Sequence, residues 1–198
     1  ELLPFMSDVI DYSFRRHLRA AARRQVAVTS GGDGVGQAVG FADLVRFTEI
    51  SAHLDDYDLA NLVGWFDQTV NTTVVRHGGR VVKMIGDGAM FTAVDPVAAA
   101  QIALDLAAAV AAHDLLSGAR VGVAAGPVVA RDGDLYGPVV NMASRLGTIG
   151  RGGAVNVSQD VRDAIVEHPA FSLRSLGMRQ LRHIGEVRVY RLKAATPP

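Results

Sequence analysis

A hairpin signal between two helical patterns limits the folds that this chain can adopt. Residues 80–91, RVVKMIGDGAMF, have the pattern of two short apolar strands joined by an Asp-Gly turn at Asp87, which is a preferred tight-turn sequence. A helical pattern over 56–77 precedes the hairpin, and another over 96–113 follows it. A hairpin placed between helices predicts an α+β fold of the ferredoxin-like, split-βαβ kind, with a mostly antiparallel sheet flanked by helices.

The other segments continue this alternation of strands and helices. They are, in chain order, a strand at 38–45, a short helix at 47–51, one long strand or a strand pair at 120–131, a helix over 137–149, a strand at 154–158, a helix over 158–167 and two closing strands. The resulting order is β-α-α-β-β-α-β-α-β-α-β-β, which a single sheet with short connections can accommodate.

The first 36 residues differ from the rest and are predicted to be a linker. Residues 5–25 have a helical pattern with five arginines, followed by a glycine-rich break, TSGGDGVGQ, that lacks the Lys-Ser/Thr of a P-loop. The arginines suit a solvated or partner-facing helix better than a membrane-surface helix. The predicted divisions are a helical linker from an upstream regulatory region at 1–36, the main domain at 37–194 and a disordered tail at 195–198.

Composition excludes several classes of protein. Lys plus Arg and Asp plus Glu are equal at 20 each, so bulk charge does not indicate a nucleic-acid partner. The chain has no cysteine, which excludes a disulfide scaffold and a thiolate metal site and fits a reducing, cytoplasmic location. No run approaches the roughly 18 apolar residues that a membrane-spanning helix needs, and no membrane contact is predicted.

Two acids stand at the ends of predicted core strands. Asp43 ends the strand at 38–45, and Asp87 is at the hairpin. If these strands are neighbours, the two carboxylates converge at one edge and, with backbone carbonyls, suit a hard cation such as Mg²⁺. The following segment, RFTEIS, offers free amides at a helix N-terminus, which favour phosphate. Considered alone, Asp87 also fits a residue that only forms the turn, and Asp43 also fits a residue that leads into the following helix.

Several further polar side chains are candidates. Lys83 lies in an otherwise apolar strand, and Arg120 opens another strand, where its guanidinium could match phosphate oxygens in fork geometry. Asn141 and Arg145 are four residues apart and share one helix face. Taken alone, Arg120 also fits a solvated strand end, and the Asn141–Arg145 pair also fits the outer face of a structural helix.

Four separated segments resemble, in order and spacing, the catalytic domain of class III nucleotidyl cyclases, of the actinobacterial adenylate cyclase type. These segments are GFADLVRFTEIS, VVKMIGDGAMF, RVGVAAGPVV and DLYGPVVNMASRL. The resemblance runs from about Val39 to Leu192, roughly three quarters of the chain. It implies a signalling enzyme, a phosphorus–oxygen lyase that converts ATP to 3′,5′-cyclic AMP and pyrophosphate. It also implies a homodimer of head-to-tail catalytic domains, two active sites at the interface and an upstream regulatory domain.

The resemblance implies roles for the acids and for Lys83. Asp43 and Asp87, with the backbone carbonyl of Leu44, match the ligands of two Mg²⁺ or Mn²⁺ ions per active site. Lys83 and Asp134 match the purine-selecting pair, in which the lysine donates to adenine N1 and the aspartate accepts from the 6-amino group. The family dimer would place Asp87 and Lys83 of one chain in different active sites.

The resemblance also implies which residues hold the ribose and the phosphates. Asn141 matches the residue that positions the ribose, and Arg145 matches the one that steadies the α-phosphate in the transition state. The triphosphate contacts would come from Arg120, from Arg182 in the closing hairpin and from the amides of Phe47 and Thr48.

Three other functions remain to be weighed. A diguanylate cyclase would need a Gly-Gly-Asp/Glu-Glu-Phe hairpin, whereas this hairpin is Ile-Gly-Asp-Gly-Ala. Guanylate cyclases typically carry Glu in place of Lys83 and Cys or a small residue in place of Asp134. A catalytically inactive, nucleotide-sensing module would lack site residues that are present here. We therefore predict an adenylate cyclase, with the guanylate cyclase and the sensing module as alternatives.

Overall fold

The computed structural model describes residues 37–150 and 152–195; the predicted linker and most of the predicted tail lie outside this part. The strands are β1 (Gln37–Leu44), β2 (Arg80–Ile85), β3 (Gly88–Ala93), β4 (Ala119–Gly126), β5 (Val129–Arg131), β6 (Asp134–Tyr136), β7 (Ala154–Val157), β8 (Phe171–Leu181) and β9 (Gly185–Ala194). The helices are α1 (Phe47–Ser51), α2 (Asp56–Arg76), α3 (Pro96–Ala111), α4 (Pro138–Gly147) and α5 (Gln159–Ile165).

Seven strands form one sheet in the order β2-β3-β1-β4-β7-β9-β8. Neighbouring strands within it are antiparallel except β4 and β7, which are parallel. The first four strands, with α2 and α3 as their connections, have the ferredoxin-like arrangement, and β7, β9 and β8 extend it. The predicted α+β fold with a mostly antiparallel sheet is confirmed.

The segment at 120–131 forms two strands, which is one of the two predicted forms, but each strand pairs with a different partner. β4 ends at Gly126, and β5 leaves the main sheet to pair with β6 in a separate hairpin. The turn of this hairpin is Asp132-Gly133, and both residues have positive φ, 54° and 83°, as a two-residue hairpin turn requires. Strand β6 was missed because three residues carry too little periodicity to be recognised.

Helix boundaries follow from capping side chains. The Asp55 carboxylate accepts from the Asp58 amide (2.8 Å) at the start of α2, and the Asp95 carboxylate accepts from the Ala98 amide (2.8 Å) at the start of α3. Each satisfies an amide that lacks an intrahelical partner. In the described part of the chain, no helix combines the length and apolar character needed to cross a bilayer.

The two faces of the sheet are covered unequally. Helices α2, α3 and α5 pack on one face over a continuous apolar core that includes Phe66, Phe91, Ile102 and Leu106. The opposite face carries a smaller buried cluster, to which α4 contributes Ala143 and Leu146. Partly exposed apolar side chains border this second cluster: Phe41, Val82, Val139, Val140, Met142, Leu176, Ile184 and Val187. The fold therefore leaves the α4 face only partly covered.

Helix α4 lies against β4 at very short range. Gly122, in the middle of β4, has no side chain, and a Cβ atom there would overlap the Ala143 carbonyl oxygen and the Gly147 amide nitrogen of α4. Only glycine therefore permits this backbone-to-backbone contact. The position of α4, and of Asn141 and Arg145 on it, depends on this contact.

Candidate active site

The two predicted metal acids come together at one edge of the sheet. In the pairing of β1 with β3, Asp43 lies opposite Gly88. The Leu44 amide donates to the backbone carbonyl of Asp87 over 3.1 Å. The strand that carries Asp43 is thus the neighbour of β3, which begins directly after Asp87, so the condition set by the sequence is met. The role of these residues as metal ligands stays a prediction.

Arg120 contacts one of these acids directly. It lies opposite Asp43 in the pairing of β1 with β4, and its Nη2 donates to Asp43 Oδ2 over 2.5 Å. Its Nε is buried and has no hydrogen-bond partner among residues 37–150 and 152–195. A buried donor without an acceptor is costly and typical of a functional site. A phosphate oxygen is an acceptor of the kind that this N–H lacks.

The oxygen ligands at this end of the strands suit Mg²⁺ or Mn²⁺ that is also bound by substrate phosphates. They are too few to hold a metal ion by protein ligands alone. Within residues 37–150 and 152–195, no group of three or more His, Cys, Asp and Glu side chains could enclose an ion. Two carboxylates and the Leu44 carbonyl offer hard oxygen ligands only. Mg²⁺ is commonly held by one or two carboxylates together with substrate phosphates. The ion would have to share Asp43 with Arg120 or displace its guanidinium.

Lys83 and Asp134 form a second pair. Lys83 Nζ donates to Asp134 Oδ2 over 2.5 Å, although the two residues are 51 positions apart. The register of β2 on β3 is irregular between Val81 and Lys83, and such irregularities redirect side chains. The other carboxylate oxygen, Oδ1, accepts from the Leu135 amide over 2.8 Å. The β5–β6 hairpin thus holds the carboxylate against the lysine.

Asp134 is in its ionised form at neutral pH. Burial opposes ionisation and is the largest single influence, whereas the hydrogen bonds from Lys83 and from the Leu135 amide favour the charged form. Together with the positive charges of Lys83 and Arg80, they lower the pKa of Asp134 below its ordinary value. The group is therefore a hydrogen-bond acceptor, the state needed to bind an exocyclic amino group.

The remaining candidates lie on α4, α1 and the closing hairpin. Asn141 is exposed and Arg145 half-buried on α4, and within the described residues no side-chain hydrogen bond engages either. Phe47 and Thr48 begin α1 after Arg46, which has a left-handed φ of 60°, so their amides have no intrahelical acceptor. Arg182 is exposed in the β8–β9 turn. Direct contacts thus join Asp43 to Arg120 and Lys83 to Asp134, but not one pair to the other.

Sequence reasoning missed a buried residue that supports α4. Asn156 in β7 is fully buried, and its Nδ2 donates to the carbonyls of Leu146 (2.9 Å) and Ile149 (2.5 Å) at the end of α4. Its Oδ1 accepts from Arg191 Nε over 2.9 Å. The sequence feature that could have revealed this residue is the asparagine within the apolar strand AVNVS, because a polar side chain in a buried strand needs hydrogen-bond partners.

Replacing Asn156 with alanine is expected to lower the free energy of unfolding by about 2–4 kcal/mol, because two carbonyls and a guanidinium lose their partner in the interior. Urea denaturation measures the change. Asn71→Ala is the matched control: in the described part of the chain its amide bonds only to Asp67, at the exposed surface of α2, so it should cost less than about 1 kcal/mol. Equal stability of the two variants would contradict the capping role of Asn156.

Comparison with known proteins identifies the family of the chain. The family model of the adenylate and guanylate cyclase catalytic domain matches residues 36–194. An adenylate cyclase of Glutamicibacter nicotianae is 34% identical over 98% of this chain and 52% of its own length. One of Streptomyces coelicolor is 38% identical over 83% of this chain and 44% of its own length. The chain thus spans about half the length of these curated relatives.

Solved structures share the fold. The guanylate cyclase domain of RhGC from Catenaria anguillulae, in complex with GTP, superposes with a TM-score of 0.73 at 22% identity, covering 83% of this chain and 100% of that one. An adenylate/guanylate cyclase/hydrolase of Silicibacter pomeroyi gives 0.69 at 24% identity, covering 81% and 98%. The fold is that of the class III cyclase domains, and the chain belongs to the family of adenylate and guanylate cyclase catalytic domains.

Proposed function

We propose that this chain is the catalytic domain of an adenylate cyclase, which converts ATP to 3′,5′-cyclic AMP and pyrophosphate at a homodimer interface with two Mg²⁺ or Mn²⁺ ions per site. The observation that carries the choice of substrate is the Lys83–Asp134 pair, a cation and an ionised acid held in contact. The relatives named adenylate cyclase support the same activity.

The pair matches adenine and mismatches guanine. Adenine offers an acceptor at N1 and a donor at the 6-amino group, which complement the Lys83 ammonium and the Asp134 carboxylate. Guanine offers a donor at N1 and an acceptor at O6, so it presents the opposite pattern. A site built for one hydrogen-bond pattern rejects the other strongly, since the mismatched groups are desolvated without partners.

Asp43, Asp87 and Arg120 would form the phosphate half of a site. The metal ions, when bound, lower the pKa of the ribose 3′-hydroxyl and offset charge around the α-phosphorus. Arg120 turns from Asp43 to the triphosphate, which supplies the acceptor that its buried Nε lacks. The free amides at Phe47 and Thr48 receive the terminal phosphates.

Arg145 and Asn141 would complete the chemistry from α4. The 3′-oxygen attacks the α-phosphorus, the bond from that phosphorus to the bridging oxygen breaks, and pyrophosphate leaves. The 3′-hydroxyl proton passes to water or to a substrate phosphate oxygen. Asn141 holds the ribose, and Arg145 offsets the negative charge that develops on the α-phosphate, so the chain contributes positioning and electrostatics.

A second copy of the chain would supply the missing half of each site. The α4 face is only partly covered, and apolar side chains such as Val139, Val140 and Met142 border its cluster. An interface between copies would bury these side chains. It would also bring Lys83 and Asp134 of one copy opposite Asp43 and Arg120 of the other.

Exchanging the base-recognition pair is expected to change the nucleotide. With Mn²⁺, the wild-type chain should form cyclic product from ATP in preference to GTP. Lys83→Glu combined with Asp134→Cys should reduce kcat/KM for ATP at least about 100-fold and make GTP the better substrate, because the donor and acceptor positions are reversed. Chromatography of the cyclic products measures both activities.

The control is Arg76→Glu, an exposed charge reversal at the end of α2, which should leave the preference unchanged. Wild-type product from GTP alone would favour a guanylate cyclase. Nucleotide binding without product from either substrate would favour the sensing module.

A further inference from the structure

A cluster of cations lines a cavity on β8 and β9, away from the candidate active site. Ser172, Arg174, Arg191 and Lys193 surround about 310 Å³ of space, and we call this the basic pocket. On β9, Leu192 belongs to the main core. Because side chains alternate along a strand, Arg191 and Lys193 lie on the opposite face, the one that α4 only partly covers.

The pairing of the strands forces like charges together. Arg174 lies directly opposite Arg191, and Ser172 lies opposite Lys193. Like charges in directly opposed positions destabilise a sheet. Within residues 37–150 and 152–195, none of these three cations forms an ion pair with a carboxylate. The repulsion is therefore not compensated by any acid in the described part of the chain.

Arg191 is held in place despite this repulsion. Its Nε donates to Asn156 Oδ1 over 2.9 Å. Burial, and then the neighbouring charge of Arg174, lower the pKa of Arg191 from its ordinary value. Gly150 leaves room for the guanidinium, since a Cβ atom there would lie 2.8 Å from Arg191 Nη2. The guanidinium is thus fixed at the pocket wall instead of extending into solvent.

We propose that the basic pocket binds a small phosphate anion, either inorganic phosphate or pyrophosphate. Guanidinium groups match phosphate oxygens in fork geometry, and the ammonium and the serine hydroxyl can donate to the same anion. An anion between Arg174 and Arg191 would convert their repulsion into two attractions. Among the described residues, the lining includes no aromatic or large apolar side chain on which a base could stack, so it suits an inorganic anion better than a nucleoside.

The test is a thermal unfolding series in EDTA, with ionic strength matched by KCl. Pyrophosphate or phosphate is expected to raise the Tm of the wild-type chain by about 4 °C near saturation, because it binds only the folded state. Arg174→Gln combined with Lys193→Gln should weaken binding at least about tenfold by calorimetry. Comparing the two anions shows which one the pocket prefers, and citrate shows whether any polyanion suffices.

Two control variants distinguish anion binding at the basic pocket from anion binding at other cationic side chains. Arg179→Gln removes an exposed arginine from β8 outside the pocket and should bind as the wild type does. Arg120→Gln should also retain binding, since Arg120 belongs to the candidate active site. Loss of binding in Arg120→Gln but not in the pocket variant would overturn the proposal, as would citrate binding as tightly as both phosphates, or no binding at all.

Discussion

Asp87→Asn is expected to reduce the rate of cyclic AMP formation at least about 1000-fold, and Asp43→Asn should do the same. Asparagine keeps the size of the side chain but removes the anionic charge that would bind the metal ions. Without these ions, neither the negative charge on the 3′-oxygen nor the charge on the α-phosphate is stabilised. A loss of this size corresponds to about 4 kcal/mol of transition-state stabilisation. Initial rates with saturating Mn²⁺ and ATP measure it.

Asp87→Asn is the cleaner of the two variants. Within the described residues its side chain forms no hydrogen bond or ion pair, whereas Asp43 is paired with Arg120, so Asp43→Asn also leaves a guanidinium without its charged partner. Asp114→Asn, outside all candidate sites, is the control and should keep full activity. Calorimetric titration with Mn²⁺ in the presence of a non-hydrolysable ATP analogue gives a second readout. Full activity of Asp87→Asn with an unchanged Mn²⁺ affinity would refute the metal assignment.

Mixing two inactive variants is expected to restore activity. Asp43→Asn damages the phosphate half of a site, while Arg145→Ala removes a cation from the other half and should cost about 2–4 kcal/mol by itself. In a mixed dimer, one site has both defects and the other has none. Random exchange of subunits gives half mixed dimers with one good site each, so the mixture should reach about a quarter of wild-type activity.

The control for this experiment is a mixture of Asp43→Asn with Asp87→Asn. Both changes affect the same half, so each site of a mixed dimer keeps one defect and no activity should return. If the complete site lay within one chain, the first mixture would also show only the sum of its components. Activity that scales with the square of concentration at high dilution would independently indicate dimerisation.

The sequence predicted the sheet because its hairpin and strands depend on local patterns, whereas the convergence of Asp43 and Asp87 was conditional on their strands being neighbours. The hairpin turn proves to be Gly86-Asp87, one residue before the predicted Asp-Gly pair, because Gly86 supplies the positive φ of 58° and Gly88 already pairs with Ile85. Short apolar runs on either side of the turn mark its strands. Packing of the hairpin beside β1 then follows from the fold class. Strand β6, with Asp134 at its start, was not predicted because its pairing depends on a two-residue turn and not on hydrophobic periodicity.

The contacts between side chains could not be predicted in the same way. The pairing of Arg120 with Asp43 depends on the register of β1 on β4, which a single sequence does not specify. The roles of Asn156 and Gly122 arise from the approach of α4 to the sheet, a tertiary feature without a local signal beyond one polar residue and one glycine in apolar strands. The role of each candidate in catalysis remains a prediction, to be tested by the variants above.

The seating of α4 on Gly122 has a consequence for any control of this domain. The backbone of α4 packs directly against the backbone of β4 at Gly122, without side chains between them, and Asn156 donates hydrogen bonds to the carbonyls at the end of the helix. A shift of α4 along β4 would therefore break close packing and hydrogen bonds. Asn141 and Arg145 should therefore travel with β4 as one body. In the homodimer that we propose, an input that switches activity would therefore act by rotating the two copies against each other, since the contact between α4 and β4 resists bending.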